Sequence, residues 1–503
     1  MKNSFKISFV FCLLLILISP AKGFAQSNLG VFEGHTDIGK PGKSGAAVFV
    51  PETGQYLIAG GGYNVWFGRD EAHWAYRKIK GDFILYARAR FVGAKGIEEH
   101  RKFGWMARSS NDSSSANVNV SVHGDGLTAL QFRKQAGAAM EEKRSALNGA
   151  DIIQLERKGN TYTMRAAKFG EPFIVDQVEN VELGEEVLVG LFTCSHNSDV
   201  LETSVFQDVR ITIPAPDSLV PYRQYLGSDI ELLDVLTGSR KIVYSSDKSL
   251  QAPNWMLDGK SIIYNSDGLI YKLTHGVKEP TVVPTGSVKN NNNDHVLSFD
   301  GKMLGLSSGV QSLGGSIIYT VPVTGGEPRQ ITPKGPSYLH GWSPDGKYLV
   351  FTGQRNNEFD IYRVPANGGK EDRLTNAKGL DDGSEYSPDG KSIYFNSSRN
   401  GTMQIWRMNA DGSNQVALTD TSFHDWFPHV SPDGKTLVFL SFLKEEVGAS
   451  DHPFYKHVYI RMMPIAGGKP TVIAYLYGGQ GTINTPSWSP DGKRIAFVSN
   501  TAR

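Results

Sequence analysis

The sequence predicts an all-β chain in which a β-sandwich precedes a β-propeller, and three observations support this fold class. A short turn motif recurs six times in the C-terminal part, short strand-like runs fill the N-terminal part, and convincing helical periodicity is missing from both. Aromatic residues make up 11% of the 503 residues and charged residues 20%. This composition is typical of a globular chain rather than a disordered one.

The turn motif reads Ser-Pro-Asp-Gly-Lys in its fullest copies. Proline presets φ, aspartate bonds the local backbone and glycine tolerates a positive φ, so the motif specifies a tight turn. Alternating or apolar residues follow each turn, as at residues 392–395, and indicate a strand. Four short strands in each period of roughly 40–50 residues are typical of a propeller blade. Six blades are therefore predicted from turns at Asp258, Asp300, Asp345, Asp389, Asp433 and Asp491, spaced by 42, 45, 44, 44 and 58 residues.

The two ends of the repeat region predict how the ring closes. The last copy, residues 486–500, stops after its second strand, whereas residues 229–233 and 241–244 form two strands without a turn motif. We expect these early strands to complete the last blade. Such a closure removes the exposed sheet edges that an open array would carry.

The first 25 residues have the features of a signal peptide. Lys2 and Lys6 precede the apolar residues 9–18, and Gly23-Phe24-Ala25 offers a small-residue cleavage site before Gln26. The apolar run is too short to span a membrane, and no later run approaches that length. We expect export to the periplasm or the exterior, without a membrane span. A net charge of +1 and the lack of a basic tract argue against nucleic-acid binding.

Residues 26–213 carry many short strands separated by turn signals, which is the pattern of a two-sheet β-sandwich. Only residues 136–146 could form a short helix, and they could equally be a loop. The predicted strands lie at residues 55–58, 83–89, 103–108, 117–122, 130–133, 153–157, 162–165 and 205–211.

Two resemblances follow from these residues. Residues 81–83, 104–108, 155–160 and 189–191 resemble the concanavalin-A-like jelly-roll modules of secreted carbohydrate-active proteins, which implies that fold and a carbohydrate-binding role. A proline-rich linker, residues 214–222, leads to repeats that resemble TolB-type propeller repeats.

The second resemblance covers residues 223–503 and implies a six-bladed propeller. It leaves function open, since this repeat serves protein-docking modules, peptidase gates and polysaccharide lyases.

Titratable residues recur before the turns at nearly one position of the repeat. His295 and His340 lie five residues before the turn aspartate, and Glu385 and His429 lie four residues before it. At roughly 3.3 Å per residue this places them about 15 Å from the turn. Since propeller blades are arranged radially, equal positions on the innermost strands are expected to converge on the central channel.

This convergence predicts roles for the four residues. His340 and His429 are the candidates for acid and base catalysis, and Glu385 is the candidate for a second carboxylate function. His295, His340 and His429 could hold a divalent cation, although no compact metal motif is present and the cofactor stays open. In the alternative interpretation each histidine is structural and bonds between blades.

Polar and aromatic neighbours extend the candidate site into a pocket suited to a saccharide, with a ring face for the sugar and polar groups for its hydroxyls. The insertion at residues 444–457 could cover this pocket as a lid or could be a solvated loop. The predicted ligand-binding residues are Asn293, Asp294, His295, Asp381, Asp382, Trp426, Gln480 and Asn484.

These residues predict a protein that handles oligo- or polysaccharides, with the sandwich as a carbohydrate-binding module and the channel mouth as the main site. Binding alone and cleavage, by a lyase or a glycoside hydrolase, both stay open. The alternative is a non-enzymatic periplasmic module that docks a partner protein. Docking faces favour aromatic and arginine anchors, whereas this position of the repeat offers histidine and carboxylate side chains.

Overall fold

The computed structural model describes residues 28–93 and 98–503, so the predicted signal segment lies outside the described residues. Over these ranges the regular secondary structure consists of β-strands, apart from a single 3₁₀ turn at Gln311–Leu313. No helix in the described ranges is long and apolar enough to cross a membrane. The all-β prediction is confirmed.

The N-terminal part forms two seven-stranded antiparallel sheets and a separate two-stranded pair at residues 65–66 and 69–70. Its strands are β1 Gly34–Ile38, β2 Ala46–Val50, β3 Gln55–Gly62, β4 Val65–Trp66, β5 Arg69–Asp70, β6 Ala72–Lys80, β7 Phe83–Phe91, β8 Lys102–Arg108, β9 Asn117–His123, β10 Leu127–Arg133, β11 Glu141–Asn148, β12 Ile152–Lys158, β13 Thr161–Ala167, β14 Ile174–Val178, β15 Glu186–Cys194 and β16 Asn197–Thr212. The first sheet has the order β1-β6-β15-β8-β9-β10-β11 and the second β14-β13-β12-β7-β16-β3-β2. All eight predicted strands lie within these elements, whereas residues 136–146 form a loop and the start of β11 rather than a helix.

The two sheets share one hydrophobic core. Trp105 and Val120 from the first sheet and Ile58 and Leu85 from the second belong to the same buried cluster. Side chains alternate between faces along a strand, so every second residue of β8 can contribute to this core. The arrangement is that of a two-layer sandwich.

The C-terminal part contains the strands of the propeller. These are β17 Gly227–Asp234, β18 Arg240–Ser246, β19 Gln251–Trp255, β20 Ser261–Ser266, β21 Leu269–Thr274, β22 Thr281–Val282, β23 Asn291–Leu297, β24 Met303–Val310, β25 Gly315–Pro322, β26 Arg329–Gln330, β27 Ser337–Trp342, β28 Tyr348–Arg355, β29 Glu358–Pro365, β30 Asp372–Arg373, β31 Asp381–Tyr386, β32 Ser392–Ser397, β33 Gln404–Asn409, β34 Val416–Ala417, β35 His424–Val430, β36 Thr436–Phe442, β37 Lys456–Pro464, β38 Thr471–Gly478 and β39 Arg494–Thr501.

Strands β19 to β38 form five successive four-stranded sheets, and β39, β17 and β18 form the sixth. In that last sheet Ile230 pairs with Val498, which joins the start of the propeller to its end. An isolated bridge between Trp488 and Ile495 adds the inner edge of the blade. The predicted six blades and their mode of closure are confirmed.

The recurring turns have the predicted geometry. At the third copy Asp345 accepts hydrogen bonds from the Ser343 hydroxyl at 2.6 Å and the Lys347 amide at 3.1 Å. Gly346 has a φ of +70°, a conformation that glycine adopts without a steric penalty. The turn therefore positions β27 and β28 within their blade.

The sandwich packs directly against the propeller. Tyr86 and Ile152 of the sandwich share a buried apolar cluster with Tyr459, Val472 and Tyr475 of the fifth blade. The Tyr475 hydroxyl also donates to the Glu171 carbonyl at 2.6 Å. This interface lies beside the insertion that interrupts the fifth blade.

Candidate ligand site at the channel mouth

A cavity of about 810 Å³ occupies the mouth of the propeller channel, at the end where the innermost strands begin. Its lining combines amide, aromatic and acidic side chains. The amides are Gln251, Asn265, Asn290, Asn291, Asn292, Asn293 and Gln480, and the rings are Tyr222, Tyr225, Tyr338, Phe359, Phe427 and Phe454. Such a mixture of apolar surface and a few converging polar groups is characteristic of ligand sites.

His340 and Asp382 form the charged centre of the cavity. His340 Nε2 lies 3.0 Å from Asp382 Oδ1, and both side chains are largely buried. Burial alone would lower the pKa of His340, but the Asp382 carboxylate outweighs it and raises that pKa. Burial would raise the pKa of Asp382, whereas His340 and the Thr352 hydroxyl lower it to about 2. The contact thus favours a protonated imidazole beside an ionised carboxylate.

Asp294 is a second carboxyl group in the cavity, with a different environment. Burial raises its pKa to about 6, and His340 opposes this shift only in part. The Asn484 amide donates to Asp294 Oδ1 at 3.1 Å. Two carboxyl groups with pKa values far apart are an arrangement that can separate proton donation from charge stabilisation.

The insertion at residues 444–457 contributes to the cavity wall. Ser450, His452 and Phe454 line the cavity. The His452 ring packs against Trp426 with the ring centroids 4.6 Å apart, and the Pro453 carbonyl accepts a hydrogen bond from the Gln480 backbone N–H at 2.9 Å. The insertion therefore covers part of the channel mouth.

The predicted site residues divide into two groups. Five of them line the cavity together: Asn293, Asp294, His340, Asp382 and Gln480. The other six lie outside its lining: His295, Asp381, Glu385, Trp426, His429 and Asn484.

His429 and Glu385 pair with each other between blades. His429 Nδ1 lies 2.6 Å from Glu385 Oε2, and the other ring nitrogen meets the Ile483 carbonyl. Glu385 also accepts a hydrogen bond from the Val430 backbone amide at 3.1 Å. These contacts join three successive blades, which is the structural role that the alternative interpretation gave to such histidines.

His295 is fully buried away from the cavity. Burial lowers its pKa to about 4, and the backbone of Ile263 and Ala252 acts in the opposite direction. His295, His340 and His429 thus each have separate surroundings. No group of three or more histidine, cysteine, aspartate or glutamate side chains in the described ranges is arranged to hold a metal ion.

Three further predicted residues lie behind the cavity wall. Asp381 bonds Arg399 at 2.8 Å, and Trp426 is buried beneath His452. Asn484 supports the wall through its bond to Asp294 and a second bond to the Asn293 carbonyl at 3.1 Å.

Sequence reasoning missed several lining residues. Tyr338 and Phe427 lie on innermost strands, two residues from His340 and His429 respectively, and Phe427 stacks on His340 at 6.0 Å. An aromatic residue next to a titratable one was a signal available in the sequence. His452 lies in the insertion, whose length was the only sign that it reaches the cavity.

The C-terminal part is thus a closed β-propeller of six blades, with this polar cavity at the mouth of its channel. A family model of the PD40 TolB beta propeller domain matches residues 340–453. An uncharacterized protein of Agrobacterium fabrum is 46% identical over 272 residues, which are 54% of this chain and 92% of that protein.

Solved structures show the same similarity to TolB-type propellers. A structure from Agrobacterium tumefaciens, described as a provisional TolB, is 44% identical with a TM-score of 0.53, and the match covers 56% of this chain and all of that one. The chain belongs to the TolB-type β-propeller family. An oligogalacturonate lyase from Vibrio parahaemolyticus is also similar, at 14% identity and a TM-score of 0.35 over 53% of this chain and 76% of that one, a likeness too slight to support an argument about function.

Proposed function

We propose that the channel mouth binds a short oligosaccharide that is neutral or carries amino groups. The observation that carries this proposal is the cavity lining, which combines amide side chains and aromatic rings with the His340–Asp382 pair. Amide groups can donate and accept hydrogen bonds to sugar hydroxyls, and rings offer an apolar face. A volume of about 810 Å³ falls within the usual range for small-ligand sites.

The charge of the lining supports this choice of ligand. Asp267, Asp294 and Asp382 line the cavity, whereas none of its described lining residues is lysine or arginine. Lys248 forms an ion pair with Asp267 at 2.7 Å, and His340 pairs with Asp382. An acidic sugar would meet no cation that is free of a carboxylate partner, so acidic oligosaccharides are expected to bind poorly.

The same groups could support cleavage. Asp294 has a pKa of about 6, which suits a proton donor close to neutral pH, and Asp382 stays ionised. These two carboxyl groups and His340 therefore replace His429 and Glu385 as the candidates for acid and base chemistry.

The test uses the chain from Gln26 onward with neutral, amino and acidic oligosaccharides, analysed by native mass spectrometry with and without a chelator. We expect one bound neutral or amino oligosaccharide per chain. Shorter products with added water would indicate hydrolysis, and unsaturated products would indicate elimination. No binding by any neutral or amino sugar, or preferred binding of acidic sugars, would contradict the proposal.

A second candidate function is the docking of a partner protein. Tyr222 and Tyr225 are 59% and 43% exposed at the edge of the cavity, and both pack edge-to-face against Phe454. Exposed tyrosines are common anchors of protein interfaces. A photo-crosslinker placed at Tyr222 would capture a specific protein that the Tyr225→Ala variant fails to capture, and equal capture by both would argue against docking here.

We further propose that the chain is exported. Residues 1–25 would be the signal peptide, residues 26–213 a concanavalin-A-like sandwich, residues 214–222 the linker and residues 223–503 the propeller. The charged start and apolar run of the first 25 residues support export. Sequencing the N-terminus of the periplasmic or secreted protein should give Gln26 first, and a chain that starts at Met1 would refute cleavage.

A further inference from the structure

The two ends of the insertion meet in a single ionic cluster with the sandwich. His457 Nδ1 lies 2.9 Å from Glu446 Oε1, which closes the insertion on itself. His457 Nε2 lies 3.1 Å from Glu156 Oε2 on β12 of the sandwich. Arg165 of β13 adds contacts of 3.4 Å to Glu156 and 3.8 Å to Glu446.

This cluster is shielded from solvent and balanced in charge. The side chains of Glu156, Arg165, Glu446 and His457 are between 14% and 21% exposed. Burial lowers the pKa of His457, but the two glutamates outweigh burial and raise that pKa to about 9. Two cations therefore face two carboxylates at neutral pH. Removal of one member of a partly buried ion pair destabilises a protein much more than removal of one member of an exposed pair.

The chain between these anchors forms part of the ligand cavity. Ser450, His452 and Phe454 lie between Glu446 and His457 in sequence and line the channel mouth. The ionic cluster thus holds both ends of this segment, and residues between the two ends form part of the cavity wall. We use the name "arc" for residues 446–457.

We propose that Glu156 and Arg165 of the sandwich are positioning residues for the propeller site, because they fix the arc over the channel mouth. The sandwich thereby completes a ligand site to which it contributes no lining residue. The identity of the ligand rests on the function proposed above, but the positioning itself does not. The apolar contacts of Tyr86 with Tyr475 hold the two parts together independently of the ionic cluster.

A matched pair of variants separates positioning from general docking. Glu156→Gln removes a carboxylate that holds the arc. Glu171→Gln removes another ion pair across the same interface, with Lys469 at 2.7 Å, that does not contact the arc and is more than half exposed. Hydrogen exchange of the full mature chain without ligand should increase at least tenfold in residues 446–457 of Glu156→Gln and should stay unchanged there in Glu171→Gln.

The pH dependence gives a readout that a simple structural contact would not. Exchange in the arc of the wild type, corrected for the intrinsic effect of pH, should rise as the pH passes about 9 and His457 loses its proton. In Glu156→Gln this rise should shift to lower pH, because one of the two carboxylates that stabilise the imidazolium is gone. If Glu156→Gln does not fold, Glu446→Gln tests the same cluster from the arc side.

The proposal is overturned by unchanged exchange in residues 446–457 of Glu156→Gln, or by an increase spread evenly over the propeller. Neither result depends on an oligosaccharide. A failure of the positioning role is therefore distinguishable from a failure of the proposed sugar binding.

Discussion

His340 and His429 occupy nearly the same position of the repeat and yet have different roles. His340 faces the cavity, whereas His429 bonds Glu385 and the next blade. The innermost strands are irregular: their register shifts between Leu339 and Gly341 in β27 and between Trp426 and His429 in β35. A one-residue shift moves side chains to the other face of a strand. His295 lies at the same distance from its turn as His340 and is nevertheless buried away from the cavity, so counting along a regular strand could not predict which histidine reaches the channel.

The first prediction concerns the Glu385–His429 pair. Glu385→Gln should lower the free energy of unfolding by about 1–3 kcal/mol, since it replaces one of the two oxygens that bond His429 and the Val430 backbone amide by an amide nitrogen in a buried setting. Urea unfolding followed by circular dichroism measures the change. Oligosaccharide affinity of the folded variant should equal that of the wild type, and a loss of affinity without a loss of stability would restore Glu385 to the site.

The second prediction concerns Asp294, whose pKa is raised by burial to about 6. An amine-bearing oligosaccharide should bind more weakly as the pH falls through 6, because protonation removes the negative charge of this carboxyl group. Calorimetric titration between pH 4.5 and 8 follows the effect. In Asp294→Asn the step near pH 6 should be missing, and its persistence would assign the titration to another group.

At the scale of single elements, the repeat turns could be predicted fully and the insertion only in part. Asp345 and Gly346 act within one turn, so their geometry follows from local chemistry and recurs in every blade. The insertion was visible as a longer spacing, but its path depends on contacts with Glu156 and Trp426, far away in the sequence. Such contacts leave no local pattern.

The third prediction is the pH dependence of the interface at His457. Its pKa is about 9 in the folded chain and about 6.5 as the ordinary value, so protonation favours the folded state. The contribution to stability, on the order of 1–3 kcal/mol, should be fully present below pH 6.5 and lost as the pH rises through 9. Thermal unfolding between pH 6 and 10 measures it, with Glu156→Gln expected to show a flatter profile. Equal profiles for both proteins would contradict this assignment.

For the whole molecule, the period of the turns predicted the number of blades and their closure, because both follow from counting. The contact between the sandwich and the propeller could not be predicted in this way. It depends on Tyr86, Tyr459 and Tyr475, which lie in strands whose local patterns fit an ordinary sheet face. The likeness of the sandwich to a concanavalin-A-like module stays a prediction.

The fourth prediction concerns ring closure. A chain that ends at Lys493 lacks β39, so β17 keeps β18 but loses its pairing with β39 along the whole run from Gly227 to Asp234. The open ring would expose sheet edges and apolar core, and we expect loss of cooperative unfolding together with aggregation. Size-exclusion chromatography and calorimetry test this, and a monomeric, cooperatively folded product would show that closure is dispensable.

The most direct test of the channel-mouth site is the affinity of the best neutral or amino oligosaccharide for two neighbouring variants. Asp382 lines the cavity beside His340, whereas Asp381 lies behind the wall and bonds Arg399. Asp382→Asn should weaken binding at least tenfold, and Asp381→Asn should leave the affinity of the folded protein unchanged. Equal affinities for Asp382→Asn and the wild type would contradict the assignment of the channel mouth as the ligand site.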